Sequence, residues 1–239
     1  RARRAAAHLP GPAMSTAPPL VFITGASSGI GQALAAQYHQ AGWHLALVAR
    51  RTDVIKNWAK ARGYSASSYE IYSADVSQPD SIMAAGRACI ARQGLPEVVI
   101  ANAGISIGMD SREADDIAVM AQVYATNNVG LAATFQPFIA PMVARGSGRL
   151  VGIGSVAGIR GLPGHGAYCS SKAAVISYCE SLRGELRGSG VRVITVNPGY
   201  IDTPLTQRNR YRMPFLLAPE EFARRAQRAI AAGGSYCVI

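Results

Sequence analysis

Long apolar stretches are absent from this chain. No hydrophobic run approaches the ~18–20 residues that a helix needs to cross a bilayer, although hydrophobic residues make up 49% of the 239-residue sequence. Charged residues are scarce, at 16%. Both figures are typical of a globular chain with buried strands, and the length suits one α/β domain with a sizeable core.

Cysteine is scarce too. The four cysteines form no C-x-x-C motif and share no metal-ligand spacing with the four histidines; they are Cys89, Cys169, Cys179 and Cys237. We therefore predict reduced thiols, a reducing compartment such as the cytoplasm, and no metal site.

Acidic residues are outnumbered, with 14 Asp and Glu against 24 Lys and Arg and a net charge of +10. Basic residues outnumber acidic ones before Asp53, which is the first acidic residue, and again in residues 205–239. A basic patch can attract nucleic acid, an anionic membrane or an acidic substrate. We predict no nucleic-acid partner, because the interleaved aromatic residues and binding motifs of such modules are missing.

Residues 1–19 show no hydrophobic periodicity and lack the apolar core of a secretory signal. We expect them to form a disordered or targeting-like extension, or one that is not native. The folded domain is predicted to begin at Leu20.

Strand patterns alternate with helix patterns six times from Leu20 onward. The strand candidates are residues 20–24, 44–49, 69–73, 97–101, 149–154, 191–196 and 235–239. This alternation predicts a single doubly wound Rossmann-type α/β domain over residues 20–239, with a parallel sheet of about seven strands and helices on both faces. We also expect one long helix, about Asp115 to Ala144, which Pro137 and Pro141 kink or divide near its end.

A glycine-rich turn, Gly25 to Gly31, follows the first strand and precedes a helix predicted from Gln32 to about Ala41. Glycine lets the backbone approach a phosphate closely, and a helix start supplies free N–H groups. The G-x-x-x-G-x-G spacing differs from the common G-x-G-x-x-G fingerprint, but the turn lies where a dinucleotide-binding sheet needs it. Glycine-rich turns before helices also occur for steric reasons alone. By itself, the motif therefore indicates either a phosphate site or a sterically tight turn.

The second strand ends without an acidic residue. NAD-binding sheets usually place an acid there for the ribose hydroxyls, whereas Arg50 and Arg51 follow Ala49 in this chain. Arginine pairs well with the 2′-phosphate of NADP. We therefore favour NADP(H) over NAD(H); the alternative is two solvated arginines at the start of a helix.

Polar residues follow other strands as well. Asp75 suits either an adenine amino group or a cap for the helix that follows Pro79. Asn102 and Gly104, after the fourth strand, bring polar atoms and bare backbone beside the ribose. Asn127 lies within the long helical pattern, where a polar side chain is unfavourable without a partner. We infer that Asn127 anchors a water near the active site.

A tyrosine and a lysine four residues apart, Tyr168 and Lys172, share one face of a helix. An ammonium beside a phenol favours the phenolate and lowers a tyrosine pKa from its free value of about 10. Such a tyrosine is a general acid/base. Ser155, at the end of the fifth strand, is a candidate to hold a substrate oxygen. For this pair taken alone, the alternative is a packed tyrosine and a solvated lysine.

Together these motifs resemble the short-chain dehydrogenase/reductase (SDR) family in its compact single-domain form. The stretches that carry the resemblance are Thr24–Gly31 (TGASSGIG), Ala74–Val76, Asn102–Gly104, Asn127–Gly130, Ser155, Tyr168-x-x-x-Lys172, and Pro198-Gly199 with Thr203. They extend in register from Leu20 to about Pro204.

The resemblance implies a catalytic tetrad of Asn127, Ser155, Tyr168 and Lys172. Tyr168 would protonate a carbonyl oxygen as hydride arrives from the nicotinamide, or run the reverse reaction. Lys172 would lower the tyrosine pKa and hold the nicotinamide ribose. Ser155 would bond the substrate oxygen, and Asn127 would order a water in a proton relay to Lys172.

The resemblance also implies a set of NADP(H) contacts. These are Gly25, Ser27, Ser28, Gly29, Ile30, Gly31, Arg50, Arg51, Asp75, Val76, Asn102, Ala103, Gly104, Tyr168, Lys172, Pro198, Gly199, Ile201 and Thr203. One residue departs from the pattern: many NADP-binding relatives carry arginine or lysine where Ser28 stands. The preference for NADP therefore depends on Arg50, Arg51 and the missing acid.

Three functions follow as hypotheses. The first is an NADP(H)-dependent carbonyl reductase or alcohol dehydrogenase that acts on a small carbonyl or hydroxyl compound. The others are a non-catalytic NADP-binding regulatory protein and a membrane-peripheral reductase of lipid-like substrates. We expect an apolar substrate pocket formed by Ile105–Met109, Ile159–Leu162 and a lid over about residues 203–218, with arginines at its mouth. A homo-oligomer is also implied by the resemblance.

Overall fold

The computed structural model describes residues 17–208 and 212–239. In this part of the chain, seven parallel strands form one sheet in the order β3-β2-β1-β4-β5-β6-β7. The strands are β1 (Leu20–Thr24), β2 (His44–Ala49), β3 (Tyr69–Ser73), β4 (Val98–Ala101), β5 (Gly148–Ile153), β6 (Val191–Asn197) and β7 (Tyr236–Val238). The predicted Rossmann-type α/β fold is confirmed.

Helices connect successive strands. They are α1 (Gly29–Gln40), α2 (Thr52–Ala61), α3 (Pro79–Gln93), α4 (Asp116–Tyr124), α5 (Gly130–Arg145), α6 (Gly166–Glu185) and α7 (Pro219–Ala232). A π turn, Ala125–Val129, joins α4 to α5, and short 3-10 turns cover Ala66–Ser68, Val156–Gly158 and Thr206–Arg208.

Both faces of the sheet are buried, and each face has its own core. Side chains alternate along β1, so Phe22 faces α5 and packs on Phe138 at 4.9 Å between ring centroids. Its neighbour Ile23 belongs to the opposite core, with Leu34 of α1 and Phe222 of α7. Burial of each such side chain contributes roughly 1.5–3 kcal/mol. This two-sided burial explains why the central strands β1 and β4 are almost uniformly apolar, whereas the edge strands β3 and β7 are partly exposed.

Two helix predictions were wrong in detail. The helix predicted from Gln32 begins three residues earlier, at Gly29, so that the glycine turn itself forms its first turn. The long helix is divided by the π turn and not by proline: α5 contains both Pro137 and Pro141 and continues to Arg145. Pro137 packs against Gly86 of α3, where a Cβ would lie 2.8 Å from Cγ of the proline ring.

Some predictions fall partly outside the described residues. Residues 1–16 of the predicted N-terminal extension lie outside the described ranges. Residues 209–211 of the predicted substrate lid also lie outside them. All four cysteines are described and none is in a disulfide. Across the described ranges, no helix is both long and apolar enough to cross a membrane.

Candidate active site

The glycine turn is built for close backbone approach. A side chain at Gly31 would collide with the carbonyl of Gly25 and would lie 2.8 Å from Nδ2 of Asn102. Gly25 itself has φ +69°, which is costly for residues with a Cβ. The amino end of α1 has no side-chain cap, so its first N–H groups and positive dipole end face the cleft beyond the turn. This cradle fits a pyrophosphate.

The cradle lies where the strand order reverses, between β1 and β4. Nδ2 of Asn102 donates to the carbonyl of Thr24 at 2.9 Å, and the hydroxyl of Thr24 accepts from the backbone N–H of Asn102 and of Ala103 at 3.1 Å. These bonds hold the two strand ends together. Ligands of such sheets bind at this switch point.

Arg50 and Asp75 face each other across the ends of β2 and β3. Nη1 of Arg50 lies 3.7 Å from Oδ2 of Asp75, and the arginine side chain is 72% exposed. Partial burial opposes ionisation of Asp75, but hydrogen bonds from Ser77 and the charge of Arg50 outweigh it and lower the Asp75 pKa below its ordinary value. An exposed pair of this kind contributes only ~0–1 kcal/mol. The guanidinium is therefore available to another anion at little cost.

One of the two interpretations of Asp75 is wrong. Its Oδ1 accepts from the backbone N–H and the hydroxyl of Ser77, at 2.9 and 2.7 Å. Helix α3 has Gln78 at its N-cap, without a side-chain cap bond, so Asp75 closes a local turn and does not cap the helix. The interpretation as an adenine contact stays a prediction.

Ser155, Tyr168 and Lys172 come from adjacent elements. Ser155 follows β5 and its Oγ accepts from the N–H of Ala157 at 3.1 Å. Tyr168 lies in the first turn of α6 and Lys172 one turn later, with its ammonium nitrogen 5.8 Å from the centre of the phenol ring. The predicted sharing of one helix face by this pair is confirmed by that contact.

Lys172 is a buried cation. Its side chain is 5% exposed, and its ammonium donates to the carbonyl of Ile153 at 2.8 Å. Burial lowers the pKa of Lys172 from 10.5 to about 8. Near neutral pH the ammonium is therefore mostly protonated, in an environment where its field on neighbouring groups is poorly screened.

Asn127 lies in the π turn and is fully engaged. Its Oδ1 accepts from the N–H of Ile105 at 2.9 Å, and its Nδ2 donates to the carbonyl of Ile105 at 3.0 Å. The same Nδ2 donates to Oγ of Ser171 at 2.9 Å. A Cβ at Gly104 would lie 3.2 Å from Oδ1 of Asn127 and 3.5 Å from Nζ of Lys172, so a bare backbone passes between them. The polar residue within the helical pattern thus joins the loop after β4 to α6.

The loop after β6 closes the site from the other side. The carbonyl of Pro198 accepts from the N–H of Val156 at 3.0 Å, which holds this loop beside the turn that follows Ser155. Thr203 is buried, and its side chain would lie 3.2 Å from a Cβ at Gly29. The loop therefore contacts the glycine turn directly.

These elements enclose a cleft of about 800 Å³. The predicted site residues all line it except Gly31 and Asn127, which lie behind its wall. A smaller cavity of about 180 Å³ adjoins it, and Ser155 and Tyr168 line both spaces.

Sequence reasoning missed several lining residues. They are Gln122, Thr126, His165 and Tyr200. Other lining residues fall in the stretches predicted to form the pocket and the lid, namely Ser106, Arg160, Leu162, Leu205 and Thr206. His165 and Tyr200 lie in loops between elements, where no periodicity reports which way a side chain faces. Proximity in the sequence to Asn127, Tyr168 and Gly199 was the one available signal for the four missed residues.

A nucleotide-binding oxidoreductase is the class of protein that this fold and site define. The sequence profile of the short chain dehydrogenase family matches residues 19–213, which is most of the chain. The chain belongs to this family, and the resemblance drawn from its motifs is confirmed. Oxidoreduction of a small molecule is the activity that membership carries.

Two curated relatives illustrate the range of similarity. An uncharacterized oxidoreductase of Myxococcus xanthus is 38% identical over 82% of this chain and 77% of its own length. An acetoacetyl-CoA reductase of an Acinetobacter strain is 30% identical over 91% of this chain and 92% of its own length. Other relatives are longer: the chain spans 60% of a dehydrogenase/reductase SDR family protein 7-like of Anopheles gambiae, at 33% identity.

Solved structures agree on the fold. A short-chain dehydrogenase from Sphingobium yanoikuyae in complex with NADPH superposes with a TM-score of 0.80 at 28% identity, covering 92% of this chain and 87% of that one. A short chain dehydrogenase/reductase from Burkholderia phymatum in complex with NAD superposes with a TM-score of 0.82 at 24% identity, covering 92% of this chain and 88% of that one. Structural neighbours thus bind either nicotinamide cofactor.

Proposed function

We propose that this chain is an NADP(H)-dependent carbonyl reductase or alcohol dehydrogenase with Tyr168 as its general acid/base. One observation carries the proposal: Ser155 and Tyr168 line both the long cleft and the smaller cavity beside it. A dinucleotide in the cleft and a substrate in the cavity would meet at these two side chains. Bound NADPH supplies the hydride.

The proposed roles of the side chains follow from their chemistry. In reduction, the phenol of Tyr168 gives its proton to the substrate oxygen; in oxidation it takes that proton back. The hydroxyl of Ser155 donates to the same oxygen. The buried ammonium of Lys172 favours the phenolate, because an adjacent cation stabilises the charged form of an acid, and it also holds the nicotinamide ribose.

Asn127 has a positioning role in this proposal. Its side-chain amide is occupied by Ile105 and Ser171, so we assign the ordering of a relay water to the backbone of the π turn and not to the side chain. The amide fixes the distance between the loop after β4 and the helix that carries Tyr168.

The cleft residues fit NADP(H) along its length. We assign the pyrophosphate to Gly25–Gly31, the adenine to Asp75 and Val76, and the adenine-side ribose to Asn102–Gly104. Arg50, with Arg51 beside it, is assigned the 2′-phosphate. The nicotinamide end is assigned to Pro198, Gly199, Ile201 and Thr203, with the lid over residues 203–218 as part of a single domain, residues 20–239.

A carbonyl panel tests the function. The protein is incubated with NADPH or NADH and a set of aliphatic, cyclic and aromatic ketones and aldehydes, and both cofactor loss and alcohol formation are measured. We expect equimolar alcohol and oxidised cofactor, with kcat/KM at least ~10-fold higher for NADPH than for NADH because of the arginine–phosphate pair. Cofactor binding without consumption of NADPH across the panel would favour the regulatory alternative.

A membrane-peripheral reductase is the second candidate, and Phe215 supports it. This lid residue is 95% exposed and has φ +58°, a left-handed conformation that few non-glycine residues adopt. Leu216 and Leu205 are exposed nearby in sequence. Co-sedimentation with anionic liposomes at low salt tests it: binding that Phe215→Ser reduces would support it, and no binding would refute it.

We also infer a homo-oligomer formed through helices α4 to α6. Apolar side chains are exposed along them, namely Ile117, Val129, Val143 and Tyr178. Light scattering measures the assembly directly, and a mass of one chain at micromolar concentration would refute this inference. A cytoplasmic location stays a prediction.

A further inference from the structure

The smaller cavity has a cation in an otherwise uncharged wall. Val156, Ala157, Leu162, Tyr200 and Leu205 line it, and Ser155 and Tyr168 line both this cavity and the cleft. Among the described residues that line it, Arg160 is the one permanently charged side chain, and none is a carboxylate. His165 lies on the same wall.

Arg160 makes no hydrogen bond or ion pair with any residue in the described part of the chain. Several other arginines pair with an acid, among them Arg92 with Glu70 at 2.6 Å and Arg145 with Glu97 at 3.1 Å. Among the described residues that line the neighbouring cleft, Asp75 is the one acid, and it faces Arg50. Nothing described at this wall therefore neutralises the guanidinium.

The position of Arg160 sets it apart from a general surface charge. It lies five residues after Ser155 and eight before Tyr168, on the loop that joins the two proposed catalytic residues. The cavity that it lines is small: its volume of about 180 Å³ is slightly more than that of an apolar cavity of ~150 Å³ that accommodates benzene in another protein. A short molecule is enough to span from the catalytic pair to the loop.

We propose that the substrate is a short carbonyl compound with a carboxylate, and that Arg160 is its counter-charge. This inference depends on the proposed reductase function. The carbonyl oxygen would lie between Ser155 and Tyr168, the carbon chain along Leu162 and Leu205, and the carboxylate on the guanidinium. Arginine suits this role because its planar fork pairs with a carboxylate through two parallel hydrogen bonds. The positive net charge of the chain also steers anions towards it.

Binding to the cofactor-loaded protein tests the proposal without turnover. The full chain is saturated with NADP⁺, which has no hydride to give to a ketone. Calorimetry then measures Kd for 4-oxopentanoate, 5-oxohexanoate and 6-oxoheptanoate, each beside its methyl ester. The ester keeps the ketone and the carbon chain, adds one methyl group and loses the charge. We expect at least one acid to bind ~10-fold or more tightly than its ester.

Three variants locate the effect. Arg160→Gln should weaken binding of that acid by ~10- to 100-fold and leave the ester unchanged, while Arg160→Lys should weaken the acid less because it keeps the charge. Arg187→Gln removes the same charge from an exposed position of the sequence beyond α6 and should change neither ligand. Thermal unfolding should be the same for all, since Arg160 is exposed.

Three results would each overturn the proposal. The acid and its ester could bind equally, Arg160→Gln could weaken both equally, or no acid could bind at all. Turnover separates this failure from failure of the proposed function. If the esters and simple ketones are reduced with NADPH and the acids are not preferred over them, the reductase function is supported and the role of Arg160 is refuted. If acids bind through Arg160 but no carbonyl is reduced, the carboxylate ligand is supported and the reductase function is refuted.

Discussion

The ammonium of Lys172 donates a hydrogen bond to the backbone carbonyl of Ile153, 2.8 Å away, inside the protein. Lys172 is on α6, one turn after Tyr168, and Ile153 is the last residue of β5, two residues before Ser155. A single bond from a buried cation thus connects the two elements that carry the proposed catalytic pair. The same burial lowers the pKa of Lys172 to about 8.

This lowered pKa predicts how stability depends on pH. Between about 8 in the folded protein and 10.5 in the unfolded chain, the unfolded state binds more protons, so the free energy of unfolding rises with pH. Below about pH 8, Lys172 is charged in both the folded and the unfolded state, so the full free-energy cost of burying its charge is present. Relative to Lys172→Met, which has no group to titrate, the wild type should gain roughly 2 kcal/mol between about pH 7 and pH 10.

Urea unfolding of both proteins without cofactor, at several pH values, measures this difference. Titrating groups remote from Lys172 are shared and cancel, and the comparison is made in a Tyr168→Phe background, which removes the phenol that the Lys172 charge would influence. The Met variant also leaves the carbonyl of Ile153 unpaired, which costs ~1–3 kcal/mol at every pH and shifts the whole curve without changing its slope. Parallel pH profiles for the two proteins would show that Lys172 is not desolvated.

Ser171 is predicted to position the catalytic helix. It is fully buried, accepts from Nδ2 of Asn127 and donates to the carbonyl of Tyr168 at 2.7 Å. Ser171→Ala should lower kcat by about 10-fold while leaving the Kd of NADPH within about 2-fold, and should cost ~1–2 kcal/mol of stability. Ser171 touches neither reacting atoms nor cofactor in this account, so the split between kcat and Kd is the informative readout.

The adjacent serine is a matched control. Ser170 makes the same kind of bond, from Oγ to the carbonyl of Gly166 at 2.7 Å, without contacting Asn127. Ser170→Ala should leave both kcat and Kd unchanged. An equal loss of kcat in the two variants would mean that helix stability and not the link to Asn127 matters.

Arg50 is predicted to distinguish the two cofactors. Arg50→Ala should raise the KM for NADPH by about 10-fold or more and leave that for NADH within about 2-fold, because the lost charge-assisted bond exists with the 2′-phosphate alone. Steady-state kinetics with each cofactor measures this. Arg187→Ala, with the same change of net charge far along the sequence, should alter neither, and equal effects of Arg50→Ala on both cofactors would contradict the assignment.

Gly31 is predicted to be irreplaceable in the phosphate cradle. A Cβ there would meet the Gly25 carbonyl, which is rigid backbone, and Nδ2 of Asn102. Gly31→Ala should therefore lower NADPH affinity by about 100-fold or prevent folding, as overpacking costs ~1–3 kcal/mol or more. Fluorescence titration and thermal unfolding together separate these outcomes, and unchanged affinity in a folded variant would contradict the cradle.

A second glycine substitution controls for helix propensity. Gly184 is exposed near the end of α6 and a Cβ there would meet nothing within 4 Å. Gly184→Ala should stabilise the protein by ~0.4–1 kcal/mol, because it restricts the unfolded chain, and should leave cofactor binding unchanged.

The sheet could be predicted from the sequence because strand and helix periodicities are local. Parallel strands place their carboxyl ends on one edge, so residues as distant as Arg50, Asn102 and Pro198 could be assigned to one cleft. The π turn could not be predicted, because one extra residue alters a single spacing of the apolar pattern, which is not distinguishable from the ordinary irregularity of that pattern. The effect of Pro137 was misjudged because its packing on Gly86 is a tertiary contact.

The details of the site were less accessible. The link from Asn127 through Ser171 to Tyr168 joins residues 41 to 44 positions apart, and a serine in a helix gives no sign of its partner. Arg160 lies in a stretch that was predicted to line the pocket, but its position beside Ser155 and Tyr168 depends on the path of the loop between β5 and α6, which has no periodicity.

The proton-transfer role of Tyr168 is tested most directly by Tyr168→Phe, which removes the phenol oxygen and keeps the ring. Turnover of the best ketone from the panel and the Kd of NADPH are measured on the same preparations. We predict a loss of ~10²–10⁴-fold in kcat with a Kd within about 2-fold of the wild type; turnover near the wild-type value with NADPH bound would contradict the assignment.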